Sequence, residues 1–170
     1  MAFKTWGFDE VGWAADLNRF WVQGLHVFKP ADETVTNSAT LQNDDHLLLP
    51  VLASTDYWME CFVIYNAPTA NDMQLAWTGP ASATMEWSNN GLALGATSSV
   101  DRISRTALGI GSTATIGGTG ADAVCAMKGL LRVAGTAGTL QLRFAQNTAG
   151  AGTTCVVKTG SMLMLTRLKA

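Results

Sequence analysis

The sequence has little charge, no long apolar run and few residues of the kinds that carry catalysis. Only 14% of its 170 residues are Asp, Glu, Lys or Arg, and only 2 are histidines, whereas charged residues usually make up about a quarter of a soluble domain. No apolar run approaches the roughly 20 residues that a membrane-spanning helix needs. No basic segment followed by an apolar stretch opens the chain, so no signal peptide is predicted. Low charge without a membrane segment predicts a surface hidden by neighbouring subunits or a β surface of small residues.

Cysteine is also scarce, and its pattern excludes familiar metal chemistry. Cys61, Cys125 and Cys155 are odd in number and widely spaced, which is unlike a paired zinc signature. Cys61 lies within an apolar run, and free cysteine usually behaves as a small buried hydrophobe. We therefore expect three reduced core cysteines in a protein synthesised in a cytoplasm.

What the sequence does have is an aromatic amino terminus. Half of the chain's aromatic residues lie in its first 28 positions. Large aromatic side chains bury much area, so this segment is expected to pack on its own body, on a sister subunit or on a foreign surface. Helical spacing of apolar residues, closed by Lys29-Pro30, predicts a helical attachment arm over residues 1–29. Its predicted interface residues are Phe3, Trp6, Phe8, Trp13, Leu17, Phe20, Trp21 and Phe28.

The rest of the chain is predicted to be a β body behind a short linker. Residues 30–45 are polar and hold at most an edge strand, and residues 46–170 form the body. Because of Pro50, His46–Leu52 is predicted to be an edge strand or a broken strand, and Asn90-Gly91 is a hairpin-turn signal. Further strands are predicted at Tyr57–Tyr65, Met73–Thr78, Thr84–Trp87 and near 100–108, 123–133, 139–145, 153–158 and 161–168. Short strands with glycine-rich turns predict a mainly β fold, an antiparallel β-sandwich of jelly-roll type.

Charge is divided unevenly between the two halves of the chain. Residues 1–100 hold 11 acids and 3 bases (−8), and residues 101–170 hold 2 acids and 8 bases (+6). Strands from both halves can interleave so that the charges average out, or faces of opposite sign can help subunits to dock. The bases are scattered, so no nucleic-acid-binding stripe is predicted.

Three groups of residues carry side chains that could form a chemical site. Asp44 and His46 would project to one side of an extended chain and could serve a metal or a general base, but a solvated turn is favoured. Glu60 and Glu86 could pair as glycosidase carboxylates. Trp58, Trp77 and Trp87 could form a sugar-stacking platform, although a core position is favoured for each. No catalytic, cofactor or metal site is therefore predicted, and the chain is not expected to be an enzyme.

The stretch Gly118-Thr-Gly-Ala-Asp-Ala123 matches a loose dinucleotide-binding pattern. The fingerprint also needs a preceding apolar strand and an acidic residue about 20 positions later, and neither is present. In a strand, Cys125, Met127 and Leu131 would share one face, while Lys128 and Arg132 would share the other. We therefore predict a strand here and no nucleotide.

Several segments resemble structural proteins of tailed-phage virions. Ala14-Ala15-Asp16-Leu17-Asn18-Arg19-Phe20 resembles the "Ala-Ala-Asp-Leu-Asn-x-Tyr/Phe" segment near the amino terminus of many such proteins. Similarity to one family of β-rich bodies extends over Thr40–Leu47, Tyr57–Tyr65, Ala76–Ala81, Gly138–Thr148 and Lys158–Leu168. The resemblance covers most of residues 14–168 in patches, and no patch defines a chemistry.

The resemblance implies a non-enzymatic particle protein on the outer surface of a virion head or tail, synthesised in the cytoplasm of a bacterial host. Such bodies often assemble as homotrimers, and the implied partners are copies of the chain and a major capsid or tail protein. A compact knob with an arm favours capsid decoration. The alternatives are a minor tail or tail-fibre knob that contacts the host and, from another class, a carbohydrate-binding module.

Overall fold

Twelve strands make up the described part of the chain, which comprises residues 24–96, 101–103 and 107–169 of a computed structural model. They are β1 (Gly24–Phe28), β2 (Glu33–Thr36), β3 (Gln42–Val51), β4 (Asp56–Asn66), β5 (Met73–Thr78), β6 (Thr84–Leu92), β7 (Asp101–Ile103), β8 (Ala114–Ile116), β9 (Asp122–Arg132), β10 (Gly138–Gln146), β11 (Thr154–Val157) and β12 (Met162–Lys169). None of the described residues belongs to a helix that is long and apolar enough to cross a membrane.

The strands form two antiparallel sheets. The larger has eight strands in the order β1-β12-β4-β9-β6-β7, with β11 pairing both β4 and β2; the smaller has the order β3-β10-β5-β8. Buried side chains of both sheets join in one hydrophobic core. The prediction of a mainly β fold with two antiparallel sheets is confirmed, and its jelly-roll connectivity stays a prediction.

The pairing of β4 with β9 runs through the centre of the larger sheet. It is unbroken from Asp56↔Arg132 to Asn66↔Asp122. Side chains alternate along both strands, so that Met59 and Val63 on β4 and Met127 on β9 point into the core. Because the side-chain period of a strand is 2, a slip by one residue would turn the core face towards solvent.

Two tryptophans join the sheets inside the core. Trp77 on β5 and Trp87 on β6 are 0% and 2% exposed, and their rings meet edge to face, with centroids 6.5 Å apart at 85°. This arrangement suits the ring quadrupoles of an aromatic pair. The Trp87 indole N–H donates to the carbonyl of Gly109 at 3.0 Å.

Most of the predicted strands are present. The segment predicted as an edge strand from Pro50 lies in β3, which forms one edge of the smaller sheet, with Pro50 exposed. The prediction for Met73–Thr78 matches β5, and those near 123–133, 139–145, 153–158 and 161–168 match β9 to β12 within one or two residues. Residues 33–36 and 42–45 of the predicted linker are also in strands.

The predicted helical arm is not supported in its described part. Gly24–Phe28 forms β1, which pairs with β12 from Gly24↔Thr166 to Phe28↔Met162. The sequence pattern failed here because the apolar residues Leu25 and Val27 alternate with period 2 directly after the helix-like stripe. Residues 1–23, which carry the rest of the predicted arm, lie outside the described residues.

The predicted hairpin turn at Asn90-Gly91 is wrong. Strand β6 continues through Leu92, and Gly91 pairs with Arg102 of β7. Packing explains the glycine, because a Cβ atom at position 91 would lie 3.1 Å from the Cys125 sulfur. Gly91 therefore makes room for a core side chain.

The stretch after Gly118 is a strand, as predicted. Residues 122–132 form β9, with Cys125, Met127 and Leu131 buried and Lys128 and Arg132 exposed. A strand in this place removes the helix that a dinucleotide fingerprint needs behind its glycines.

The carboxylate of Asp72 forms hydrogen bonds with the loop that precedes β9 and with the loop that follows β6. One carboxylate oxygen of Asp72 accepts the Gly118 N–H at 2.8 Å, and the other accepts the Gly95 N–H at 3.2 Å. The backbone at Gly118 lies so close to the preceding loop that a Cβ atom there would be 2.4 Å from the Ala67 carbonyl oxygen. Only glycine fits a backbone approach of this kind.

Gly118→Ala is therefore expected to lower the free energy of unfolding by about 3 kcal/mol, at the upper end of the usual cost of overpacking. Chemical denaturation of the purified protein would measure the loss. Gly135→Ala is the matched control, since a Cβ atom there meets nothing within 4 Å. Equal midpoints for the two variants would contradict the proposed backbone clash.

Candidate functional site

The only acid and histidine group singled out in the sequence surrounds a buried lysine. The Lys29 ammonium lies 2.7 Å from a carboxylate oxygen of Glu33, 2.7 Å from one of Asp44 and 3.4 Å from Nδ1 of His46. Lys29 and Asp44 are 1% and 0% exposed. We call these four residues the Lys29 cluster.

Asp44 binds backbone N–H groups in addition to pairing with Lys29. Its second carboxylate oxygen accepts the backbone N–H groups of His46 at 3.0 Å and Leu47 at 2.7 Å. These bonds satisfy backbone donors at a bulge, where the pairing of β3 with β10 shifts register. The predicted solvated turn is wrong for Asp44, because Lys29, 15 positions away along the chain, supplies a buried partner that local sequence patterns do not reveal.

The Lys29 cluster fits a structural role better than metal binding. Glu33, Asp44 and His46 place three potential ligand atoms within 4.8 Å of one another. However, the Lys29 ammonium already contacts all three side chains. A divalent cation would have to displace a buried positive charge, so the arrangement favours an ion pair that ties the end of β1 to β3.

A second candidate is the outward side of the larger sheet, where many large apolar side chains meet solvent. Five of them are substantially exposed: Phe28 (58%), Val124 (50%), Leu168 (45%), Phe62 (40%) and Trp58 (38%). Partly exposed Ile64, Leu130, Met162 and Met164 complete the set. We call these nine residues the apolar face.

The register places members of the apolar face side by side. Phe28 pairs with Met162, and Met162 pairs with Phe62. One row nearer the start of β4, His26, Met164 and Glu60 are neighbours in the same way. A shallow cavity of about 220 Å³ lies among these residues, lined mainly by Phe62, Met162, Met164 and Ala126 with Glu60 and Lys128 at its polar side. The arrangement can accept a large apolar side chain with one polar group.

Glu60 and Glu86 lie on opposite sides of β9, and each is paired with a base on that strand. A Glu60 carboxylate oxygen lies 3.1 Å from the Lys128 ammonium, and one of Glu86 lies 3.1 Å from the Arg132 guanidinium. Strand β9 separates the two acids, and the register offsets them by two residues. Standard strand spacings then put their Cα atoms about 12 Å apart. Each acid instead makes a cross-strand ion pair.

These ion pairs also account for the uneven charge along the chain. Acids of the first half on β4 and β6 meet bases of the second half on β9. In the same way Asp32 lies 3.5 Å from Lys158. The hydrogen bond from the Thr159 N–H, together with Lys158, lowers the pKa of the Asp32 carboxyl below its usual value. Three pairs of first-half acids with second-half bases thus offset part of the asymmetry.

The three tryptophans considered for a sugar-stacking platform do not share one surface. Trp77 and Trp87 are buried, as favoured from the sequence, whereas Trp58 belongs to the apolar face, so its predicted core position is wrong. The signal was present in Tyr57–Tyr65, which is apolar on both of its faces. A strand of that kind is typically covered on both sides.

The cysteines behave as predicted from the sequence. Cys61, Cys125 and Cys155 are free and buried. Burial raises the pKa of the Cys125 thiol to about 12 and that of Cys155 to about 11. A thiol in that state is a poor nucleophile.

Of the predicted interface residues, only Phe28 falls in the described part of the chain. It lies on the apolar face and is the most exposed of its large hydrophobic members. Phe3, Trp6, Phe8, Trp13, Leu17, Phe20 and Trp21 lie outside the described residues. Their role in attachment stays a prediction.

No family model matches the chain, and no curated protein matches it either. Among solved structures it is similar to the tripod (BppUct-A-L) from the baseplate of bacteriophage Tuc2009, with 12% identity and a TM-score of 0.38 over 98% of this chain and 77% of that one. It is also similar to infectious bursal disease virus of the Gt strain, with 9% identity and a TM-score of 0.21 over 85% of this chain and 40% of that one. A third similar structure is the VP2 subviral particle of infectious bursal disease virus, with 7% identity and a TM-score of 0.19 over 86% of this chain and 37% of that one. At these scores the likeness assigns neither a family nor a function.

Lys29→Met is expected to lower the free energy of unfolding by about 3–5 kcal/mol, because it leaves the buried Asp44 carboxylate without its counter-ion. Chemical denaturation would measure this. The control Lys128→Met removes an exposed partner of Glu60 and is expected to cost at most about 1 kcal/mol. A Lys29→Met protein as stable as the control would show that the buried ion pair contributes little.

Proposed function

We propose that this chain is a non-enzymatic structural protein of a tailed-phage virion, placed on the outer surface of the particle and assembled as a homotrimer. The observation that carries the proposal is the apolar face. Soluble monomers rarely expose a broad contiguous apolar patch, and larger ones mark interaction sites. The resemblance of residues 14–168 to tailed-phage virion proteins supports the particle as the setting in which that face is covered.

Within the virion we propose a role in capsid decoration. Burial of apolar surface contributes roughly 25 cal/mol per Å², so each copy that covers its apolar face adds binding energy to the shell. Partners would be further copies of the chain and the major capsid protein. Contacts that bridge shell subunits would oppose the outward pressure of packaged DNA. No cofactor, membrane or nucleic acid enters this mechanism.

Particles that lack the protein are expected to adsorb to host cells normally but to release their genome at a lower temperature than wild-type particles. The reason is that the inter-subunit contacts of the decoration layer would be gone while the tail is intact. Genome release on heating and adsorption to host cells are the two measurements. Particles restored with the wild-type protein serve as the control.

The opposite pattern would contradict capsid decoration. If deletion abolishes adsorption while heat resistance is unchanged, the protein acts at the tail and contacts the host. Electron microscopy of particles with the protein labelled would then place it on the tail.

The absence of catalysis is also part of the proposal, and the ion-paired Glu60 and Glu86 support it. Purified protein incubated with host-wall glycans and peptidoglycan is expected to release no new reducing ends or peptides. Turnover that disappears in Glu60→Gln and Glu86→Gln would contradict the proposal and make these residues an acid/base pair. Asp45→Asn is the matched control, since Asp45 is an exposed acid on a different sheet.

A further inference from the structure

We propose that the apolar face binds residues 1–23 of a second copy of this chain. The inference rests on the proposed assembly function and names the partner of that surface. The receptor in this proposal is the apolar face, which lies in the described part of the molecule. The ligand is the most aromatic segment of the sequence.

The receptor has the chemistry that an aromatic segment requires. Its shallow cavity is lined by Phe62, Met162 and Met164, with Phe28 next to Met162 in the register. Methionine side chains adapt their shape and make favourable sulfur contacts with aromatic rings. At the polar side of the cavity, the Glu60 carboxylate is about one third exposed (34%), so it can accept a hydrogen bond from an indole N–H.

The ligand segment offers matching groups. Residues 1–23 contain six of the chain's 14 aromatic residues: Phe3, Trp6, Phe8, Trp13, Phe20 and Trp21. Tryptophan combines a large apolar ring with one donor, and it is enriched among residues that dominate interface energies. An indole ring in the cavity would bury apolar surface while its N–H meets Glu60.

The place where the segment joins the body brings it to the apolar face. Gly24 begins β1 and pairs with Thr166, which in turn pairs with Trp58. Four strands from β1 to β9 span about 14 Å, whereas 23 extended residues reach up to about 75 Å. Length therefore allows the segment to cover an apolar face, its own or that of a neighbour.

The sequence before Gly24 favours the neighbour. To lie on its own face, the segment would have to reverse direction immediately before β1. Residues 19–23 are Arg-Phe-Trp-Val-Gln, and none of them belongs to the types that dominate tight turns. Gly24 is such a residue, but it is already paired with Thr166 within β1. Before residues 19–23 the nearest one is Asn18, and five extended residues between the two span about 17 Å. Head-to-tail contacts of this kind close into rings when the rotation permits, which agrees with the proposed trimer.

Complementation between two defective full-length variants tests the proposal. The face variant carries Phe62→Gln and Val124→Gln, and the segment variant carries Trp13→Gln and Trp21→Gln. Molar mass is measured by light scattering at micromolar concentration. We expect an oligomer for the wild type, monomers for each variant alone, and a one-to-one heterodimer when the variants are mixed, because one intact segment then meets one intact face.

Leu52→Gln is the matched control, because Leu52 is an exposed leucine (51%) outside the apolar face. It is expected to assemble like the wild type, whereas each defective variant raises the dissociation constant about tenfold or more. Circular dichroism and a cooperative melt check that every variant folds. If the face variant does not fold, Phe28→Gln replaces it, because Phe28 is the most exposed member of the face.

Two results would overturn the inference. A monomeric wild type would exclude exchange between copies, and a mixture that stays monomeric would show that the segment and the face do not meet in different copies. Incorporation into particles is measured separately. A protein that is monomeric in solution but still joins the particle would overturn this inference and the proposed homotrimer, and would leave the proposed role on the virion standing.

Discussion

The pairing of β4 with β9 is the constraint on which the rest of the molecule depends. Its unbroken register fixes which side chains of the larger sheet point inward and which point outward. Inward residues such as Met59 and Met127 join the core against the smaller sheet. The same register sets Glu60 beside Lys128 and leaves Phe62 in solvent. Core and candidate interface are thus two consequences of one alignment, because a strand presents alternate residues to opposite sides.

The Lys29 cluster joins the two sheets at one end of the molecule. Lys29 follows β1 of the larger sheet, and its backbone N–H donates to Ser161 at 2.8 Å. Its ammonium reaches across to Asp44 on β3 of the smaller sheet. A buried ion pair is costly to form because both charges lose water. Here the two carboxylates and the backbone donors around Asp44 offset that cost and fix where β3 can bulge.

Low overall charge and an exposed apolar face are connected features. Next to the apolar face, the described charges Glu60 and Lys128 form a cross-strand pair, as do Glu86 and Arg132. Paired charges of this kind oppose the approach of another surface less than single charges of one sign would. A subunit built in this way is suited to association. That is the physical basis for proposing a component of an assembly in preference to an enzyme.

The sequence by itself determined most of the strands, the two-sheet fold and the burial of the cysteines, because alternation and turn residues act over a few neighbouring positions. It also predicted a strand at Tyr57–Tyr65, without showing that one side of that strand is exposed. Only the tertiary structure decided that Gly91 lies within a strand, that Asp44 is buried and that Trp58 is outward while Trp77 and Trp87 are not. Those outcomes depend on partners far along the chain: Cys125 for Gly91, Lys29 for Asp44, and the smaller sheet for the tryptophans. Local sequence patterns do not identify such partners, because contacts between residues far apart in the chain form only when the sheets pack.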